Sequence, residues 1–88
     1  MQIRNGAAVA GDLEIVVRGP EDLGRALAEL RRREGLTQQQ LAERLGVSRP
    51  YLGNVEAGRS SGLLDLVFDT ISRLHGEIRI TVRKPDDA

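Results

Sequence analysis

The sequence predicts a mainly α fold, a small bundle of four helices with a short strand before it and another after it. Three observations carry this. Apolar residues recur at helical spacing through 23–30 and again through 64–74. Between those runs, Thr37 and Ser48 each open a helix with a side-chain capping signal. The segments 13–17 and 77–82 are rich in β-branched residues, the second in strict alternation with polar ones. A chain of 88 residues makes one domain with a modest core, and chains of this size gain from a staple or a partner. With no cysteine, disulfides and thiolate metal sites are excluded, which leaves oligomerisation as the cheap source of buried area.

The elements follow in order. Met1 to Arg4 reads equally as a second short strand or a frayed end, and Asn5 to Gly11 is small and flexible in composition. Leu13 to Val17 reads as a strand that stops at Gly19-Pro20. Pro20, Glu21 and Asp22 open the first helix, since proline suits a first turn and acids suit the positive end of the dipole. Its inner face is Leu23, Ala26, Leu27 and Leu30, and Gly35 stops it. Thr37 caps the second helix, with Gln40 completing a capping box; Leu41, Ala42 and Leu45 form its inner face and Gly46 ends it. Ser48 caps the third, with Pro50 in the first turn and Leu52 and Val55 inward. Gly58 to Gly62 is a loop. The fourth helix runs from about Leu63 to Leu74 with Leu64, Val67, Phe68, Ile71 and Leu74 in one stripe. Leu63 and Leu66 add apolar surface beside it, so this helix is expected to be covered on two sides. His75-Gly76 stops it, the alternating strand Glu77 to Val82 follows, and Lys84 to Ala88 is a polar tail.

Formal net charge is zero at pH 7, which on its own speaks against a nucleic-acid partner. The distribution speaks differently, because phosphate attraction is local on the scale of a Debye length. Residues 31–59 hold six arginines against three glutamates, while 1–30 and 60–88 are net negative. A charged, solvated helix face would give the same pattern.

The second and third helices carry the most specific constellation. Two helices that cross closely need a small residue at the crossing, supplied by Ala42. The sharp turn needs a residue that accepts positive φ, supplied by Gly46, and Leu52 buries the second helix back against the first. Each is ordinary alone; together with two caps they specify a helix-turn-helix. The run Gly35 to Ser48 and on through Val55-Glu56-Ala57-Gly58 resembles the Cro/C1-type (Xre) helix-turn-helix family. That resemblance implies a lambda-repressor-like bundle in which the helix from Ser48 to Glu56 lies in the major groove of DNA and Gln38 touches the backbone. The order of a four-helix domain followed at once by a strand is similar to the HipB-like antitoxins. There the C-terminal strands of two protomers pair and hold the dimer. The expected organisation is an N-terminal arm with a short strand (1–19), the Xre-type domain (20–75) and a C-terminal dimerisation strand with its tail (76–88).

Site residues follow from these placements. Arg49, first after the Ser48 cap, suits a bidentate contact with guanine or a phosphate. Asn54 suits adenine or a phosphate. Tyr51 suits a phosphate or partial packing. Ser48 and Pro50, at the cap and in the first turn, count with them among the expected DNA-binding residues, and Gly53 reflects either a close approach of DNA or a tolerated defect that costs roughly 1 kcal/mol against alanine. The resemblance implies that Arg31 and Glu56 form an architectural pair. Ile78, Ile80 and Val82 on one strand face, with Leu63 and Leu66, are the expected dimerisation residues, because the strand has few others in the chain to join. Truncation after Gly76 is accordingly expected to give a monomer that keeps much of its helicity.

Gly58-Arg59-Ser60-Ser61-Gly62 satisfies the G-x-S-x-G pattern of a hydrolase elbow, but that motif needs a preceding strand and a far larger fold. A single histidine, His75, without cysteine argues against a transition-metal site. The expectation is a cytoplasmic, non-enzymatic repressor without cofactor or membrane association. Its expected partners are double-stranded operator DNA, a second copy of itself and a HipA-like toxin kinase, as antitoxin and autorepressor of a HipBA-like operon. The alternatives are a stand-alone Xre regulator, or an interaction module that has lost DNA binding.

Overall fold

The computed structural model describes residues 2–5, 13–59 and 61–83. Strand β1 (Gln2–Asn5) and strand β2 (Leu13–Val17) precede four helices, α1 (Pro20–Arg33), α2 (Gln38–Leu45), α3 (Arg49–Glu56) and α4 (Gly62–Arg73), and strand β3 (Ile78–Val82) follows. The fold is a helix-turn-helix bundle on a small sheet. Of the stretch left open by the sequence, Gln2 to Arg4 lie in β1 together with Asn5 from the stretch of flexible composition, while Met1 and the rest of that flexible stretch, 6–11, lie outside the described residues.

The three strands form an antiparallel sheet in the order β1-β2-β3, with Ile15 opposite both Ile3 and Ile80. The alternation of β3 has its partner inside the chain. The expectation that β3, with few other strands to join, finds its partner in a second copy is therefore corrected, since β2 takes one of its edges in the register Leu13–Val82, Ile15–Ile80 and Val17–Ile78. Pleating sends Ile15 and Val17 to one face. There they form the core with Ala26, Phe68 and Val82, bordered by Leu23, Leu30, Leu64, Ile78 and Ile80. The β-branched face assigned to dimerisation is thus packed against α1 and α4. The truncation expectation changes with it: removing β3 exposes β2 and opens the core, so helicity is not expected to survive.

α1 is buried on two sides. Leu23, Ala26 and Leu30 face the sheet, while Gly24 and Ala28, four residues apart, are buried on a second face with Arg31 one turn further on. That face meets α3. A β-carbon on Gly24 would lie 2.4 Å from the carbonyl oxygen of Glu56, so the two backbones touch.

Two further expectations are corrected. Leu45 is 58% exposed, because it is the last residue of α2 before the Gly46 turn and Ala42 holds the buried position. On α4 the inward stripe is narrower than expected. Phe68 is buried with Leu64 and Ile71 half-buried, whereas Val67 and Leu74 join Leu63 and Leu66 on an exposed apolar stripe. Ser61, not singled out in the sequence, caps α4 by accepting from the Leu64 N–H at 3.3 Å. At its other end His75 adopts φ +61, and the Gly76 N–H reaches the Ile71 carbonyl at 2.8 Å, closing the helix.

Candidate nucleic-acid interface

Local sequence sets the two motif helices. The Thr37 hydroxyl accepts from the Gln40 N–H at 3.1 Å while the Gln40 side chain accepts from the Thr37 N–H at 2.9 Å, a reciprocal capping box. α2 ends at Gly46, whose φ of +71 lets the chain reverse while the Val47 N–H bonds back to the Ala42 carbonyl at 3.0 Å. The Ser48 hydroxyl then accepts from the Tyr51 N–H at 3.1 Å and starts α3. Ser48 therefore acts as a cap, and Arg49 and Pro50 occupy the first turn, where the missing proline N–H leaves no intrahelical bond unmade. Ala42 and Leu52 are the buried contacts of this pair of helices.

Burial of Leu52 decides what α3 presents. Pro50 and Asn54 stand two residues to either side of it, about 200° around the helix, and both are exposed. Tyr51 is 61% exposed beside them, and Arg49 is exposed at the helix start. Pro50, Tyr51 and Asn54 form one outward face, and Arg49 is exposed beside it at the open start of the helix.

Beneath α3 lies a polar network. Arg31 donates from Nε to Glu56 Oε2 at 2.8 Å and from Nη2 to Oε1 at 3.0 Å, and from Nη1 to the Leu36 carbonyl at 2.7 Å. The pair joins side chains only 11% and 5% exposed. Burial pushes the Glu56 carboxyl up, but the hydrogen bonds from Arg31 and Gln38 and the guanidinium charge outweigh it and hold the group below its usual range. The hydrogen bonds to Glu56, and its charge, raise Arg31 above its ordinary value against the opposing effect of burial. Gln38 donates from Nε2 to Glu56 Oε1 at 3.0 Å, so its amide braces α3. A contact between this side chain and DNA would require that bond to open.

Gly53 sits next to Gln38, and a β-carbon there would meet only the Gln38 amide at 3.9 Å, ordinary van der Waals contact. Nothing described within the chain requires glycine at this position. Gly53→Ala is therefore expected to stabilise the protein by about 0.5–1 kcal/mol through helix propensity. If a duplex approaches this part of α3, the same variant binds DNA more weakly. Chemical denaturation and a DNA titration on one preparation separate the two effects; a loss of stability would mean that α3 has no room for a methyl group at Gly53.

Charge on this side is selective. Arg32 and Arg33 pair with Glu29 on α1, whereas Arg44 and Arg49 make no ion pair with any other described residue. Arg59, not singled out in the sequence, donates to Asn54. Among the described residues no group of His, Cys, Asp or Glu is placed to hold a metal ion, and no helix is long and apolar enough to cross a membrane. Of the residues assigned to dimerisation, Leu63 and Leu66 are 73% and 61% exposed, while Ile78, Ile80 and Val82 lie against or within the chain's own core.

A family model described as a helix-turn-helix domain matches residues 22–63, from the first turn of α1 into the start of α4. No curated protein and no solved structure gives a significant match to the chain.

Proposed function

We propose that this helix-turn-helix protein is a sequence-specific DNA-binding repressor that places α3 in the major groove. The observation that carries the reading is that the segment matching a helix-turn-helix domain contains an α3 whose outward face, Pro50, Tyr51 and Asn54 with the exposed Arg49 at its start, is held by two caps and a shielded ion pair. The arginine-rich middle third supplies the local positive charge that phosphates require. Selection from duplex DNA with a randomised core tests this. Wild-type protein should enrich one sequence with salt-dependent affinity, and Arg49→Ala should weaken that site by about 1–3 kcal/mol without altering the fold. An equal loss on scrambled duplex would make Arg49 a phosphate contact. Absence of binding to any duplex would favour an interaction module that uses the fold without DNA.

Operator binding by one eight-residue helix is weak, and we take the working unit to be a twofold dimer with recognition helices about 34 Å apart. The exposed stripe Leu63, Leu66, Val67 and Leu74 supports an interface on α4, adjoining the recognition helix. Leu66→Glu changes an exposed side chain, so the monomer should fold normally. The variant is expected to dissociate in light scattering and to lose at least about a hundredfold in operator affinity, because binding is no longer bivalent. A dimeric Leu66→Glu protein with normal affinity would place the interface elsewhere, for which the outer edge of β3 is the alternative.

The order of four helices followed by a strand supports the narrower reading of an antitoxin and autorepressor in a HipBA-like operon, with a HipA-like kinase as partner. Co-purification from the native host tests it: a bound kinase supports the antitoxin, and operator DNA without a protein partner supports a stand-alone regulator.

A further inference from the structure

The structure assigns Arg59 as a positioning residue that makes Asn54 read the major groove chiefly as a donor, an inference that rests on the DNA-binding reading above. The starting point is the end of α3. Gly58, at φ +80, lets its own N–H reach the Val55 carbonyl and the Arg59 N–H reach the Asn54 carbonyl, both at 3.1 Å. This paired closure brings the residue after the glycine back beside the residue five positions earlier, where a hydrophobic contact is the usual companion. Here the companion is polar: Arg59 donates from Nη1 to Asn54 Oδ1 at 3.1 Å. The side-chain bond is thus built on a backbone one. Its polarity is settled by chemistry, since a guanidinium has donors only and the carboxamide oxygen must face it. The Asn54 NH2 group is left for the groove, on the side of α3 opposite Leu52.

That orientation changes what Asn54 selects. A bidentate contact with adenine needs Oδ1 to accept from N6 while the amide donates to N7. One lone pair of Oδ1 already accepts from the Arg59 guanidinium, so the oxygen is a weaker second acceptor and the NH2 group a stronger donor. Asn54 therefore favours the adjacent N7 and O6 acceptors of guanine or the O4 of thymine over the N6 donor of adenine or the N4 donor of cytosine. The pair is solvent-exposed in the free protein, so its effect grows once the duplex excludes water and lowers the local dielectric.

The probe is a pool of duplex DNA with a randomised core, bound to wild type, Asn54→Ala, Arg59→Ala and Arg59→Lys, each checked for an unchanged melting temperature. Asn54→Ala should erase the preference at one position per half-site, which identifies the base it reads. Wild type should take guanine or thymine there. Arg59→Ala should shift that one position to adenine, by about tenfold. Arg59→Lys should keep the wild-type choice, because an ammonium also donates to Oδ1. Adenine selected by the wild type, no position affected by Asn54→Ala, or an Arg59→Ala protein that loses affinity equally on every sequence would each overturn the assignment. A wild-type protein that binds duplexes but enriches none would overturn it together with the claim of sequence-specific repression. A protein that binds no duplex at all would remove the DNA-binding reading on which both stand.

Discussion

Glu56→Ala is expected to destabilise the protein by about 3 kcal/mol or more, because it strands the Arg31 guanidinium under α3 and removes the acceptor for Gln38. Arg31→Ala should have a comparable effect, since it leaves a carboxylate that is 5% exposed without its counter-ion. The double variant should lose clearly less than the sum of the two, and strict additivity in urea denaturation would mean that the side chains do not interact. The pair also predicts a pH dependence with a definite sign. The Glu56 carboxyl titrates below its usual value of 4.5 in the folded protein, so its contribution is fully present above that value and is lost as pH falls through the lower native one. The stability gap between wild type and Glu56→Ala should therefore be widest at neutral pH and narrow in acid. A gap that widens below pH 4.5 would contradict the assigned ion pair.

Gly24→Ala is expected to be the second severe substitution, although alanine is the better helix former. The added β-carbon would lie 2.4 Å from the Glu56 carbonyl oxygen and 2.6 Å from that of Val55, and neither backbone atom can rotate away. α1 must then separate from α3, disturbing the Arg31–Glu56 pair as well. Helix propensity returns roughly 1 kcal/mol, and an overpacking cost above that leaves a net loss of about 2 kcal/mol. The contrast with Gly53→Ala is the informative measurement. One substitution type on two helical glycines should give opposite signs, because the first glycine faces a backbone and the second meets only the Gln38 amide at van der Waals distance. Thermal melts of the two variants check this, and a stabilised Gly24→Ala would mean that the helices do not meet there.

Such contrasts mark the boundary of what a single sequence carries. Caps and turns are local: Thr37 with Gln40, Ser48 with the Tyr51 N–H, and Gly46 with its positive φ each involve residues within a few positions, so their signals stand in the sequence. The strands at 13–17 and 78–82 are legible for the same reason, through composition and a period of two. Pairing is not local. Ile80 meets Ile15 only after four intervening helices have returned the chain, so alternation alone shows that β3 buries one face without showing against what.

The same limit applies to α4. Its apolar residues all have helical spacing, and periodicity cannot divide them between the core and an open surface. The position of Phe68 on the sheet makes that division and leaves Val67 and Leu74 outside. At the candidate interface, the identity and order of Arg49, Tyr51 and Asn54 are written in the sequence. Which of them share a face follows from the burial of Leu52, and where the Asn54 oxygen points follows from Arg59, a residue beyond the helix. Sequence alone thus determined the four helices, the strands at 13–17 and 78–82 and the caps at Thr37 and Ser48, since hydrogen bonds within one turn are encoded by neighbouring residues, but it left β1 open. Only the tertiary structure decided the partners of each face, because those contacts join residues that the chain itself keeps far apart.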